Sequence, residues 1–261
     1  MSNSMSRRQF IGFAGSAAAV MGLGLVGCGS SSSSDKSSKK YTIATDTVFA
    51  PFEFTDKKNK FVGIDVDLLA ACMKVAGLDY ELKSLGFDAA VAALESGQAD
   101  GVIAGMSITP ERKKKYDFSD PYYNSAVCCA AAKDGDVAKL EDLSGKTVAA
   151  KTGTQSASWA ESIKDKYGFK ISYAKTSDVM YQGVKSKQFA ACFEDEPVMA
   201  YGIKQGNGMQ MIGKEADKFA TPYGFAVRKG KNAELLKGFN KGLKKIKSNG
   251  KYDKIIDKYT K

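Results

Sequence analysis

The sequence predicts an α/β fold. Short apolar and β-branched runs alternate with stretches whose apolar residues recur at helical spacing. That alternation runs from residue 41 to about 123 and then starts again. Stop and start signals punctuate it. Thr109-Pro110-Glu111 reads as an N-cap, a first-turn proline and a first-turn acid, and Gly77 and Gly97 follow helical patterns. Strands alternating with helices imply largely parallel sheets with covered faces, in which ligands bind beyond the carboxyl ends of the strands.

Taken in order, residues 41–46 form a strand, and 65–75 a helix with Val66, Leu69, Ala70 and Met73 on one face. Asp65 and Asp67 stand near its start, where the helix dipole favours acids. A strand at 80–83, a helix at 87–96 and a strand at 99–105 follow, then the helix opened by Thr109. Beyond Tyr122-Tyr123 the sequence predicts strands at 126–132, 147–151, 171–174, 189–193 and 222–227. Helices at 156–167, 178–187 and 197–204 lie between them. A long helical region carrying Leu235, Leu236, Phe239, Leu243 and Ile246 precedes a short helix at 252–259.

Composition narrows the chemistry. The 261 residues are 43% hydrophobic and 26% charged, enough for one large domain or two lobes with a real core. The net charge of +10 is spread as lysines among acids. The denser runs at 112–115 and 241–247 read as solvated helix faces, so nucleic acid is not an expected partner. The absence of histidine excludes His-based triads, His general bases and His metal sites. Of the five cysteines, no pair has CxxC spacing, so neither a metal nor a cofactor is expected. Cys72, Cys128, Cys129 and Cys192 read as buried thiols, with a disulfide among them left open.

The N-terminus has an export layout. Arg7-Arg8 opens an Ala-, Gly- and Leu-rich stretch that ends at Leu25-Val26-Gly27-Cys28. The arginine pair resembles a twin-arginine signal, and ordinary secretory signals also begin with basic pairs. Leu-Val-Gly-Cys resembles the bacterial lipobox, which implies a signal peptide over 1–27, lipidation at Cys28 and attachment to the membrane through that lipid. Residues 28–40 are Ser-rich and read as a tether. The remainder is expected to work outside the cytoplasmic membrane.

Several motifs in the soluble part resemble one family. They are Ala44-Thr45-Asp46-Thr47-Val48-Phe49-Ala50-Pro51-Phe52-Glu53-Phe54, Val62-Gly63-Ile64-Asp65-Val66-Asp67-Leu68 and Ala104-Gly105-Met106-Ser107-Ile108-Thr109-Pro110-Glu111-Arg112. Asp117-Phe118-Ser119-Asp120-Pro121-Tyr122-Tyr123, Lys151-Thr152-Gly153-Thr154 and Asn249-Gly250-Lys251-Tyr252 complete the set. Together they are similar to the polar amino-acid-binding proteins of ABC importers (solute-binding protein family 3), with most likeness to the glutamine binders. The resemblance implies a two-lobed, type II periplasmic-binding-protein-like clamshell with two hinge strands. Residues 41–123 and 223–261 would form one lobe and 124–222 the other. It also implies a monomer that delivers its ligand to an ABC permease and its ATPase.

Every free amino acid offers a carboxylate and an ammonium. Arg112, beside the helix start at Thr109-Pro110, supplies a forked cation for the carboxylate. The loop 151–155, with Thr154 and Gln155 opening a helix, supplies backbone N–H groups for the same anion. Ser107, the carbonyl of Gly105 beside Ala104, and Asp195 are acceptors for the ammonium. Phe49 and Phe87 resemble the aromatic pair that sandwiches the ligand side chain. Asp46 and Lys151 match the positions that read a side-chain amide, one acceptor and one donor, which favours glutamine over basic amino acids. Glu194 stands where the glutamine binders carry histidine. It either pairs with Lys151 or favours a cationic side chain. The alternatives are a dehydratase-like enzyme on the same fold, with Asp195, Glu194 or Lys151 as acid or base, and a ligand-binding sensor domain.

Overall fold

The computed structural model describes residues 39–261. The expected signal peptide, the expected lipidation site Cys28 and most of the expected tether lie outside the described residues. Two five-stranded sheets organise the chain. The first is built from β1 (Tyr41–Thr45), β4 (Tyr80–Ser84), β5 (Gly101–Val102), β6 (Tyr116–Phe118) and β12 (Ala226–Arg228), in the order β4-β1-β5-β12-β6. A small hairpin, β2 (Phe54–Thr55) and β3 (Phe61–Val62), stands beside it. The helices α1 (Ile64–Ala76), α7 (Ala233–Ser248) and α8 (Lys251–Thr260) belong with Ile43, Leu69, Phe225, Phe239 and Leu243 in one core cluster. The second face takes α2 (Phe87–Ser96) through Ala90, Leu94, Val102 and Met106. The close approach of α7 to α1 requires a glycine: a Cβ on Gly242 would stand 2.5 Å from the Cys72 backbone.

The second sheet has the order β11-β7-β10-β8-β9. Its strands are β7 (Val127–Ala132), β8 (Thr147–Lys151), β9 (Lys170–Ala174), β10 (Cys192–Asp195) and β11 (Met209–Glu215). One face packs on α4 (Gln155–Tyr167) through Trp159, Ala160 and Phe193. The other packs on α5 (Ser177–Lys185) and α6 (Glu196–Lys204) through Met180, Met199, Cys128 and Cys192. The four described cysteines are free and buried, with Cys128 and Cys129 in opposite clusters as strand alternation requires.

Both sheets are mixed, which corrects the expectation of largely parallel sheets. β1 runs parallel to β4 and β5, and β8 parallel to β9 and β10. β12 runs antiparallel to β5 and β6, and β7 antiparallel to β10 and β11. The antiparallel members flank the two chain crossings, where the chain enters a sheet from the other lobe rather than through a covering helix. The crossings also shorten two expected strands. Residues 222–225 make isolated backbone bonds and bridges rather than a continuous ladder before β12 begins, and 103–107 leave the sheet after Val102.

The two crossings meet at Tyr223. The Tyr122 N–H donates to the Tyr223 carbonyl at 3.0 Å, and the Tyr223 N–H donates to the Tyr123 carbonyl at 2.8 Å. Ile108 and Gly224 extend the contact through the Pro222 and Met106 carbonyls at 2.8 and 3.0 Å. No helix among the described residues is long and apolar enough to cross a membrane.

Candidate functional site

The carboxyl ends of β1, β5, β8 and β10 face one another between the lobes. Asp46 follows β1, and Ala104, Gly105 and Ser107 follow β5. The turn to the short helix α3 (Pro110–Lys115) is capped by Thr109, whose hydroxyl accepts from the Arg112 N–H at 3.2 Å. That cap fixes the first turn and sends the Arg112 side chain into the cleft. Across the cleft, Lys151 ends β8 and Thr154 caps α4, accepting from the Ala157 N–H at 3.2 Å. Asp195 ends β10.

These residues enclose a cavity of about 10 Å³, room for about one water molecule. Phe49, Phe87, Ala104, Gly105, Ser107 and Arg112 line it from the first lobe, and Lys151, Thr154, Gln155 and Asp195 from the second. Asp46 and Glu194 stand behind this wall. Gly105 has φ +53°, and a Cβ there would meet the Phe49 ring at 2.4 Å, so the ring lies directly on backbone.

Arg112 spans the cleft. Its Nη1 donates to the Ser107 carbonyl at 2.9 Å and its Nη2 to the Gly153 carbonyl at 3.0 Å. The guanidinium carbon lies 5.4 Å from the Phe87 ring centre, a cation–π contact. Lys151 also spans it: Nζ donates to Asp46 Oδ2 at 2.8 Å and to Ser177 Oγ at 3.3 Å, and lies 4.1 Å from the Phe49 ring centre. Burial works against the Lys151 ammonium, but Asp46, Glu194 and Glu53 outweigh it and raise its pKa above the usual value.

Asp195 is held from the crossing. Tyr223 donates its hydroxyl to Asp195 Oδ2 at 2.5 Å, and Ser125 Oγ donates to the Tyr223 hydroxyl oxygen at 2.9 Å. Asp195 Oδ1 is buried with no hydrogen-bond partner. Burial, with the neighbouring Glu194 charge, pushes the Asp195 carboxyl up to about 7. Glu194 accepts from the Tyr181 hydroxyl and from the Asp195 N–H, each at 3.0 Å. The Thr154 hydroxyl is already occupied by its cap, by the Lys151 carbonyl at 2.7 Å and by Ser156 at 3.0 Å. What α4 can offer an anion is therefore its first-turn backbone N–H groups.

The sequence reading did not include Tyr223, Ser177, Tyr181 or the pair Glu53 and Asp65 among the site residues. Asp65 reads locally as a first-turn acid, yet it is fully buried and turned inward. Its Oδ2 accepts from the Gly105 N–H at 2.8 Å and from the Tyr122 hydroxyl at 2.7 Å. Burial pushes Asp65 up to about 6 and, with the Asp65 and Asp46 charges, pushes Glu53 well above the carboxylate range. Burial disfavours charging both carboxyls of this pair at once.

Residues 41–261 match the family described as bacterial extracellular solute-binding proteins, family 3. The chain belongs to this family. Among curated relatives, the arginine-binding extracellular protein ArtP of Bacillus subtilis is 36% identical over 244 residues, covering 93% of this chain and 94% of its own. An ancestral arginine-binding protein solved with arginine is 38% identical, covers 85% of this chain and 98% of its own, and superposes with a TM-score of 0.78. The second substrate-binding domain of Lactococcus lactis GlnP, solved in an open conformation, is 43% identical over 84% of this chain and 94% of its own. Its TM-score is 0.57.

Proposed function

We propose that this protein captures a free amino acid with a cationic side chain, arginine first, and delivers it to an ABC permease and its ATPase. Arg112 and the first turn of α4 take the carboxylate. Ser107 Oγ, the Gly105 carbonyl and Asp195 take the ammonium, and Phe49 and Phe87 flank the side chain. The observation that carries the capture reading is Asp195 Oδ1, a buried carboxylate oxygen without a partner in the wall of a cavity that also holds Arg112. An ammonium supplies the missing donor. Charge-assisted bonds contribute roughly 1.5–3 kcal/mol each, so three or four, less ordering costs, reach the roughly −8 kcal/mol of micromolar binding.

The charge count supports a cationic side chain. With Asp195 ionised, as it is at pH 8, Arg112 and Lys151 face three carboxylates, Asp46, Glu194 and Asp195. A zwitterion with a neutral side chain leaves one negative charge in excess; a cationic side chain cancels it. The names of the arginine-binding relatives point the same way. Glutamine is the second reading, favoured by Asp46 and Lys151 as an acceptor and donor for a primary amide. The relatives named above are binding proteins, which favours capture over turnover. We further propose lobe boundaries at 123/124 and 222/223, export under the 1–27 signal, anchoring through a lipid on Cys28, and a monomer.

A thermal-shift screen across the twenty amino acids tests this. Ligand at about 100 times Kd adds about 2.7 kcal/mol to stability, which raises the midpoint by several degrees. Arginine is expected to give the largest rise. A larger rise with glutamine selects the second reading, and no rise with any amino acid removes both.

A further inference from the structure

The excess positive charge gathers on the last two helices. Residues 39–232 are nearly balanced, with 27 basic and 25 acidic side chains, whereas residues 233–261 carry nine lysines against three acids. On α7, Leu235, Phe239, Leu243 and Ile246 are buried in the core. Lys237, Lys241, Lys244 and Lys245 recur at three- and four-residue spacing on the opposite side of the helix, and all four are exposed. Like charges four residues apart, as Lys237 and Lys241 or Lys241 and Lys245 are, oppose helix formation. No acid relieves them: among the described residues none of the four lysines forms an ion pair. The chain leading back to Cys28 meets the fold at the head of the same helix. Lys39, the first described residue, donates from Nζ to Oδ1 of Asn232, the N-cap of α7, at 3.2 Å. Eleven residue steps separate Cys28 from Lys39, a reach of at most about 40 Å.

We infer that the lysine face of α7 rests on anionic phospholipid headgroups and so sets which side of the protein lies on the membrane. Part of the argument rests on the export and the anchoring through Cys28 proposed above: they keep α7 close to a lipid surface and leave lipid, rather than nucleic acid, as the polyanion within reach. The charge distribution stands without them. A flat array of mobile phosphates meets a straight stripe of lysines without a shaped pocket, and it supplies the counter-charge that the helix itself lacks. Screening confines the attraction to lysines within about 10 Å of the headgroups at about 0.1 M salt, so the face that touches decides the binding and the net charge of the whole chain does not. A basic patch and a lipid are also complementary signals, each strengthening a membrane contact that either alone leaves marginal.

The test is co-sedimentation of the full chain carrying Cys28→Ser, so that no acyl chain holds it, with vesicles of phosphatidylcholine alone and of phosphatidylcholine mixed with phosphatidylglycerol. Two variants are compared in that background. One joins Lys237→Gln, Lys241→Gln, Lys244→Gln and Lys245→Gln; the other removes the same charge from exposed positions of the second sheet and its helices, through Lys133→Gln, Lys170→Gln, Lys175→Gln and Lys185→Gln. Glutamine keeps helix propensity, and melting curves confirm that both variants fold. The parent is expected to prefer the mixed vesicles and to lose that preference at about 1 M salt. Each lysine that reaches the headgroups contributes roughly fivefold in partition, so the α7 variant should lose about a hundredfold or more and the other variant little. Replacing the four α7 lysines by arginine should retain the binding. Equal losses in the two glutamine variants overturn the inference, as does a parent with no preference for the mixed vesicles. The mass of the N-terminal peptide of the natural chain reads lipidation separately: an unmodified Cys28 removes the anchoring reading, whereas a lipidated Cys28 with equal losses in the two variants removes only the role of α7.

Discussion

Asp46 Oδ2 and Lys151 Nζ meet at 2.8 Å with 1% of each side chain exposed, and their bond joins one lobe to the other. Each is the other's partner across a cleft whose remaining cavity is about 10 Å³. An amino acid therefore enters only when the lobes part, and closing on it is a shift between open and closed populations.

Asp46→Asn should open the protein. The change leaves a buried Lys151 ammonium without its counter-ion in the closed form only, because opening hydrates it. Removing one partner of a buried pair costs about 3–5 kcal/mol, so the ligand-free closed population should fall. Small-angle scattering is expected to report a larger radius of gyration than wild type; an unchanged profile contradicts the account.

Arg112→Ala should lose most binding while the fold survives. Among the described residues the guanidinium donates to the Ser107 and Gly153 carbonyls, both at the cleft. Truncating one side of a buried charge-assisted pair costs about 2–5 kcal/mol, at least about a hundredfold in Kd at the middle of that range. Arg112→Lys should recover little, since a point charge does not replace a fork. Titration beside a melting curve reads both quantities.

Binding should weaken in mild acid. The Asp195 carboxyl is held up to about 7 by burial and Glu194. An incoming ammonium binds the ionised form, so below pH 7 a proton must leave before the ligand is held. Affinity is therefore expected to be full at pH 8 and to fall towards about tenfold per pH unit below 7. Asp195→Asn should bind weakly at every pH and lose the slope. Titrations between pH 5.5 and 8 check it.

Glu53→Gln should stabilise the protein at alkaline pH. Both carboxyls of the buried pair have raised folded-state pKa values, Asp65 to about 6 and Glu53 well above the carboxylate range. Between pH 4 and those values the folded state binds more protons than the unfolded one, so stability falls as pH rises through that window. The glutamine amide donates to Asp65 Oδ1, which lacks a partner, without needing a proton. Urea unfolding at pH 5 and pH 8 should show a smaller loss in the variant, which should be about 1–3 kcal/mol more stable at pH 8.

Much of the candidate site's geometry was legible because its signals are local. Thr109-Pro110 announces the turn that aims Arg112, and Thr154 announces the start of α4. The residues that were not legible depend on distant chain. Tyr223 reaches Asp195 from 28 residues away, and Asp65 reaches Gly105 from 40. Nothing near Asp65 distinguishes a dipole-stabilising acid at a helix start from one buried beneath the Gly105 loop. Strand direction was hidden for the same reason: β12 joins the first sheet only after the chain has traversed the second, and its antiparallel sense follows from that return. Strand β11 was missed because Gly213 and its bulge break the alternation of a sheet-edge strand.

If Arg112, Asp195 and the charges around Lys151 capture a free, cationic amino acid, both the ligand carboxylate and its side-chain charge must matter. Calorimetric titration of the protein at pH 8 with L-arginine, L-glutamine and agmatine, which is arginine without its carboxylate, separates the two. Micromolar or tighter binding of arginine, weaker binding of glutamine and none of agmatine are expected. Agmatine bound as tightly as arginine, or no heat from arginine, would rule this capture out.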